Sequence, residues 1–175
     1  VNEKQLIERY TADGFLELYN RRYGESYSIA CHADAPDIRC RNEGGKFLNL
    51  EITLTEDRPR DIAATLGRSS HRDIGLHLVN ARSTTPELAL PPASSLAGNV
   101  SDRLLSRIGA KLDRDYGPRV ALVIRDTSPL DWEWDFVLDD VRSQLALHDS
   151  PFDMGIWLLN LSKTRLYEII GQVPT

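Results

Sequence analysis

The segment from Phe47 to Thr55 alternates strictly: Leu48, Leu50, Ile52 and Leu54 are apolar, while Asn49, Glu51, Thr53 and Thr55 are polar. A period of two marks a strand with one face on a core. Just upstream, Asn42-Glu43-Gly44-Gly45 carries turn chemistry, and Asp37 to Arg41 supplies a run to pair with the strand. A hairpin is predicted. If Glu43-Gly44-Gly45 is a short loop with a glycine in the left-handed position, Asn42 pairs with Lys46 and Asp37 with Glu51. The apolar sets agree, because Ile38 and Cys40 then share the face of Leu48, Leu50 and Ile52. A slip of one residue would turn the face of Glu51 onto the apolar one. The pairing sets Asp37 and Glu51 side by side on one polar face.

The 175 residues suit a single domain, 1–175. Residues 3 to 22 read as a helix, with Leu6, Ile7, Tyr10, Leu18 and Tyr19 at three- and four-residue steps. Gly14 is placed to bend or interrupt it, and Gly24 to end it. Ser26 to His32 alternates weakly as a strand. Asp57 to Ser70 reads as a helix with Asp57 as cap and Pro59 in its first turn. Residues 73–97, with Thr84-Thr85-Pro86 and Pro91-Pro92, predict a surface loop insertion.

Ser101 to Tyr116 predicts a helix with Leu104, Leu105, Ile108 and Leu112 on one side, stopped by Gly117-Pro118. Val120 to Ile124 suits a buried central strand. Leu130 to Leu147 suits a helix, although Trp132 to Phe136 alternates and also suits the start of a strand. Met154 to Leu161 and Arg165 to Ile170 close the chain as strands. The expected class is α/β, a mixed sheet flanked by helices. Trp132, Trp134 and Phe136 are expected as core or interface anchors.

A hydrophobic content of 41% and a charged content of 27% place the chain among globular proteins. No apolar run approaches the ~18 residues that span a bilayer. The expectation is a cytoplasmic protein without a membrane partner. Cys31 and Cys40 match neither a disulfide framework nor a zinc site, and are expected as buried free thiols. A net charge of −5 excludes a whole-protein attraction to nucleic acid, so any such partner needs a local basic patch. Arg103, Arg107, Lys111 and Arg114 fall on one helix face, diluted by Asp102, Asp113 and Asp115. Such a stripe is more often a solvated face than a phosphate track. Lys4, Lys46, Lys111 and Lys163 are the only lysines.

Carboxylates directly opposed across two strands repel unless a cation, a proton or an arginine relieves them. Mg²⁺ held by one or two carboxylates can orient a phosphate and activate water. The ordinary alternative is a solvated strand face on which Arg39 and Arg41 pair with the acids.

Pro36-Asp37, followed after an interval by Glu51-Ile52-Thr53, resembles the motif of the PD-(D/E)XK nuclease superfamily. The order helix, hairpin strands, helix, strand is also similar, and the resemblance covers residues 3 to 125. It implies a restriction-endonuclease-like mixed β-sheet and Mg²⁺- or Mn²⁺-dependent phosphodiester hydrolysis. Asp37, Glu51 and the backbone carbonyl of Ile52 would be the metal ligands. An acidic residue of the first helix joins such sites, and Glu8 is preferred over Glu3 and Glu17.

The family's lysine, two residues after the second carboxylate, is Thr53 here. Lys46 is a poor replacement, about 17 Å away along an extended strand. Lys111 is better placed, within Ile108-Gly109-Ala110-Lys111-Leu112, which resembles a segment of bacterial relatives of that family. The competing expectation is an ordinary exposed helix lysine. Arg58 and Arg60 are candidate phosphate contacts. A catalytically inactive module is the alternative to an enzyme. It would bind protein or nucleic acid through residues 73–97 or the basic helix face. His71, Asp73 and His77 lack helical metal spacing, and His32 with Asp34 suits a turn that could approach Asp37.

Overall fold

A computed structural model describes residues 3–55, 93–127, 132–145 and 150–172. The expected helix at 57–70, together with Arg58, Arg60, His71, Asp73 and His77, lies outside them. So does most of 73–97.

The described chain runs α1 (Glu3–Tyr23), β1 (Ser28–His32), β2 (Ile38–Arg41), β3 (Phe47–Leu54), α2 (Ala93–Leu112), β4 (Val120–Arg125), α3 (Trp134–Gln144), β5 (Ile156–Asn160) and β6 (Arg165–Ile170). The strands form one six-stranded mixed sheet in chain order, β1 to β6. β1, β2 and β3 are antiparallel neighbours, β3, β4 and β5 are parallel, and β6 returns antiparallel. The predicted register holds along the hairpin: Ile38 faces Leu50, Cys40 faces Leu48, and the Asn42 N–H donates to the Lys46 carbonyl. Every residue of β4 and β5 is buried, as expected for parallel strands covered on both faces.

Two apolar layers enclose the sheet. On one face, Ala12, Phe15, Leu16 and Tyr19 of α1 pack with Ile38, Cys40, Leu48, Leu50, Ile52, Val123 and Trp157. On the other, Val100, Leu104 and Ile108 of α2 and Val137, Leu138 and Val141 of α3 pack with Leu122, Ile124, Ile156 and Leu158. Both parallel connections carry their helix on this second face, so they turn with the same hand. No helix among the described residues is long and apolar enough to cross a membrane.

Several details differ from the sequence reading. The core stripe of α1 is Ala12, Phe15, Leu16 and Tyr19, while Leu6, Ile7, Tyr10 and Leu18 are only half-buried. Gly14 does not break α1. It lies where Leu161 presses onto the helix, and a Cβ there would collide with that side chain. α2 starts at Ala93 rather than Ser101, so the last residues of the expected loop 73–97 are helical, and it stops at Leu112 rather than Tyr116. Trp134 is core, but Phe136 is 70% exposed because it points away from the Trp134–Val137–Val141 stripe. Cys40 is buried as expected, whereas Cys31 is exposed; neither is in a disulfide.

Candidate functional site

The hairpin ladder brings the two carboxylates to one place. Extending the register one step beyond Ile38 and Leu50 sets Asp37 opposite Glu51. The Asp37 carboxylate then closes the end of the ladder, with Oδ2 accepting the Ile52 N–H at 2.9 Å. Next along, the register brings Pro36 level with Ile52, and proline has no N–H for the Ile52 carbonyl. A residue's N–H and C=O leave a strand on the same side. The Ile52 carbonyl therefore points toward the Asp37 side of β3.

The polar face expected here is not solvated. Asp37 is 4% exposed and Glu51 is 3% exposed. The cause is α2, which lies over this face. Lys111 follows Ile108 by one turn, on the side of the helix that faces the sheet, and stands at the end of the Val100–Leu104–Ile108 stripe. Its ammonium is 2.6 Å from Glu51 Oε1. Neither Arg39 nor Arg41 is the counter-charge of either acid. Arg39 is exposed, and the Arg41 guanidinium stacks 4.7 Å from the ring centre of Phe47.

Helix α1 supplies the third carboxyl. Glu8 and Thr11 continue the stripe of Ala12, Phe15 and Tyr19 toward the helix N-terminus, where Glu8 is 6% exposed. One turn earlier, the exposed Lys4 ammonium lies 3.0 Å from Glu8 Oε1 and 3.3 Å from Asp37 Oδ1. His32 Nδ1 stands 3.8 Å from Glu8 Oε2, so the end of β1 does reach this cluster. Two of the chain's four lysines thus converge on Glu8, Asp37 and Glu51, three of the four buried carboxyls among the described residues. Lysines are so few here that a generic solvated face does not account for that pairing.

Burial pushes the Glu8 carboxyl up to about 7, and the negative charge of Asp37 adds to the rise while Lys4 opposes it. The native state therefore keeps a proton on Glu8 that the unfolded chain releases near the ordinary carboxyl value of 4.5. Between those two values the native state binds more protons, so its stability falls as pH rises, and the full cost is present above pH 7. Glu8→Gln, fixed in the neutral form, is expected to gain on wild type from pH 5 to about pH 7 and to level off above that. The exposed Lys4 pair that it loses contributes little. Urea midpoints at each pH measure this, and a constant difference across the range would refute it.

Sequence reasoning missed Tyr116. It follows α2, is 6% exposed, and rests on Phe152 with ring centres 5.3 Å apart. Burial pushes its hydroxyl up to about 12, and the charges of Glu51 and Asp37 push in the same direction. The only signal in the sequence was an aromatic residue between the helix and Gly117-Pro118.

The donor atoms suit a hard cation: carboxylate oxygens of Asp37 and Glu51 and the Ile52 carbonyl, with Glu51 Oε2 buried and free of any hydrogen bond. Among the described residues, no three or more His, Cys, Asp or Glu side chains converge as a ready-made metal cage. Mg²⁺ does not require one, because it commonly keeps several waters and takes only one or two carboxylates. Comparison with family models, curated proteins and solved structures finds no match to this chain.

Proposed function

We propose that the chain is a Mg²⁺-dependent nuclease of the PD-(D/E)XK kind, with a restriction-endonuclease-like sheet, whose motif lysine has moved from the strand to helix α2. The observation that carries this is the Lys111 ammonium 2.6 Å from Glu51 Oε1, on the face of β3 where Thr53 leaves the motif position without a charge. Asp37, Glu51 and the Ile52 carbonyl would hold the cation. When bound, Mg²⁺ would supply Lewis-acid activation of a phosphodiester and of a water.

The protein's own part is positional and electrostatic. Asp37 is fixed by the Ile52 N–H, Glu51 is fixed by Lys111, and Lys111 places a positive charge where the pentavalent phosphate gathers negative charge. Glu8, part protonated near neutral pH, can pass a proton at the edge of the same cluster.

A second reading has its own support. Both acids are already neutralised by lysines and nearly closed to solvent, which suits a non-catalytic module that binds a protein or nucleic-acid partner. Calorimetry of the wild-type protein with Mn²⁺ separates the two. One stoichiometric site, with metal-dependent cleavage of a panel of single- and double-stranded DNA and RNA, is the expected result. A flat titration with no cleavage of any substrate would leave the binding module.

A further inference from the structure

Asp37 has no open oxygen. Its Oδ2 accepts the Ile52 N–H at 2.9 Å, and its Oδ1 accepts from the Lys4 ammonium at 3.3 Å. Glu51 differs: Lys111 holds Oε1 at 2.6 Å, while Oε2 is buried without a hydrogen bond. A divalent cation that draws on both acids therefore meets an ammonium already seated on one of them. Two positive charges on one carboxylate oxygen repel, so one of them has to give way.

The two lysines of the site are not equivalent. Lys111 is anchored: its side chain is 22% exposed and its contact is the shorter. Lys4 stands in the first turn of α1 with a side chain 74% exposed, and its ammonium bridges Asp37 Oδ1 and Glu8 Oε1, at 3.3 and 3.0 Å. An exposed ion pair contributes little, and a four-carbon stem can carry its ammonium into water without moving the helix. Asp37 itself is buried, so when the ammonium leaves, it calls for another positive charge in that place. A cation arriving from solvent supplies that charge.

We propose that Lys4 gates the cation site. Its ammonium sits on Asp37 and Glu8 in the metal-free protein and withdraws to solvent when a divalent cation takes Asp37. This rests on the metal-binding part of the reading above, and not on cleavage. The gate sets a threshold, because the apparent affinity falls with the fraction of molecules whose Asp37 is open. It also keeps Asp37 from standing as a buried, unpaired charge while the metal is absent.

Calorimetry with Mn²⁺ and chemical modification of the amine test this together. Lys4→Ala is expected to bind Mn²⁺ about fivefold tighter than wild type, and Lys4→Arg, which keeps the charge, to stay near wild type. In wild type, saturating Mn²⁺ is expected to raise acetylation of Lys4 by acetic anhydride severalfold, read by peptide mass spectrometry with the exposed Lys46 as internal reference. A simple loss of nearby positive charge would tighten binding in Lys4→Ala without exposing the wild-type amine. A specific site of equal affinity in wild type and Lys4→Ala, or unchanged Lys4 acetylation on saturation, overturns the gate and leaves the cation site standing. A site present only in Lys4→Ala is the gate in its strongest form. No specific site in either protein overturns the metal reading, and the gate with it.

Discussion

Lys111→Met is expected to lower the stability of the fold by about 3 kcal/mol and, on the proposed nuclease reading, to remove most of the cleavage activity. The first effect follows from burial. Glu51 is nearly closed to solvent and its closest cation is the Lys111 ammonium, so methionine would leave a buried carboxylate without its counter-charge. Breaking a buried ion pair from one side typically costs about 3–5 kcal/mol. The lower end applies here, because the Lys111 side chain keeps 22% of its exposure and water can follow it in. Methionine fills nearly the same volume, so packing of the Ile108 stripe is preserved.

The double variant Lys111→Met/Glu51→Gln should recover much of that loss, since it removes both charges together. Urea denaturation of the four proteins in this cycle measures the coupling. A coupling below about 0.5 kcal/mol would show that the short contact contributes little. The kinetic effect is separate. Loss of one preorganised donor at a developing oxyanion typically costs about 10²–10³ in kcat.

On the proposed nuclease reading, Glu51→Gln is expected to abolish specific Mn²⁺ binding and to lower cleavage by about 10³-fold or more. Glutamine keeps the shape of glutamate, and its amide oxygen can still accept from Lys111, so the fold loses far less than in Lys111→Met. What disappears is the negative charge at Oε2, the buried carboxylate oxygen without a hydrogen bond. A hard divalent cation that takes only one or two protein carboxylates loses half of its protein charge with that change. Calorimetry with Mn²⁺ reads the loss directly. Retention of a stoichiometric site in Glu51→Gln would place the cation elsewhere or nowhere.

The hairpin and its register were legible because two independent signals coincide: the alternation of Leu48 to Thr55 and the Gly44-Gly45 turn. The buried strands β4 and β5 were legible for a similar reason, being short apolar runs between breakers. The α1 face was misread. Glu8 and Thr11 interrupt the apolar spacing at the end of the stripe, and the half-buried Tyr10 and Leu18 suggest a neighbouring one.

Within the site, Asp37 and Glu51 could be named from strand parity, and Glu8 only from the resemblance to the nuclease motif. That Lys111 would meet Glu51 could only be weighed, because the contact spans 60 residues of sequence and depends on how α2 lies across the sheet. Lys4 and Tyr116 carried no local signal. Their roles come from where α1 begins and where α2 ends, which packing decides and no short pattern records.

The acids and their counter-charge belong to opposite ends of a long excursion, and the parallel pairing of β3 with β4 is what closes it. The hairpin can form early from neighbours in sequence, but Lys111 arrives only after the slower long-range closure. Until then Glu51 faces Asp37 across adjacent strands without a counter-charge of its own. The hairpin gains this stabilising partner in the same event that completes the sheet.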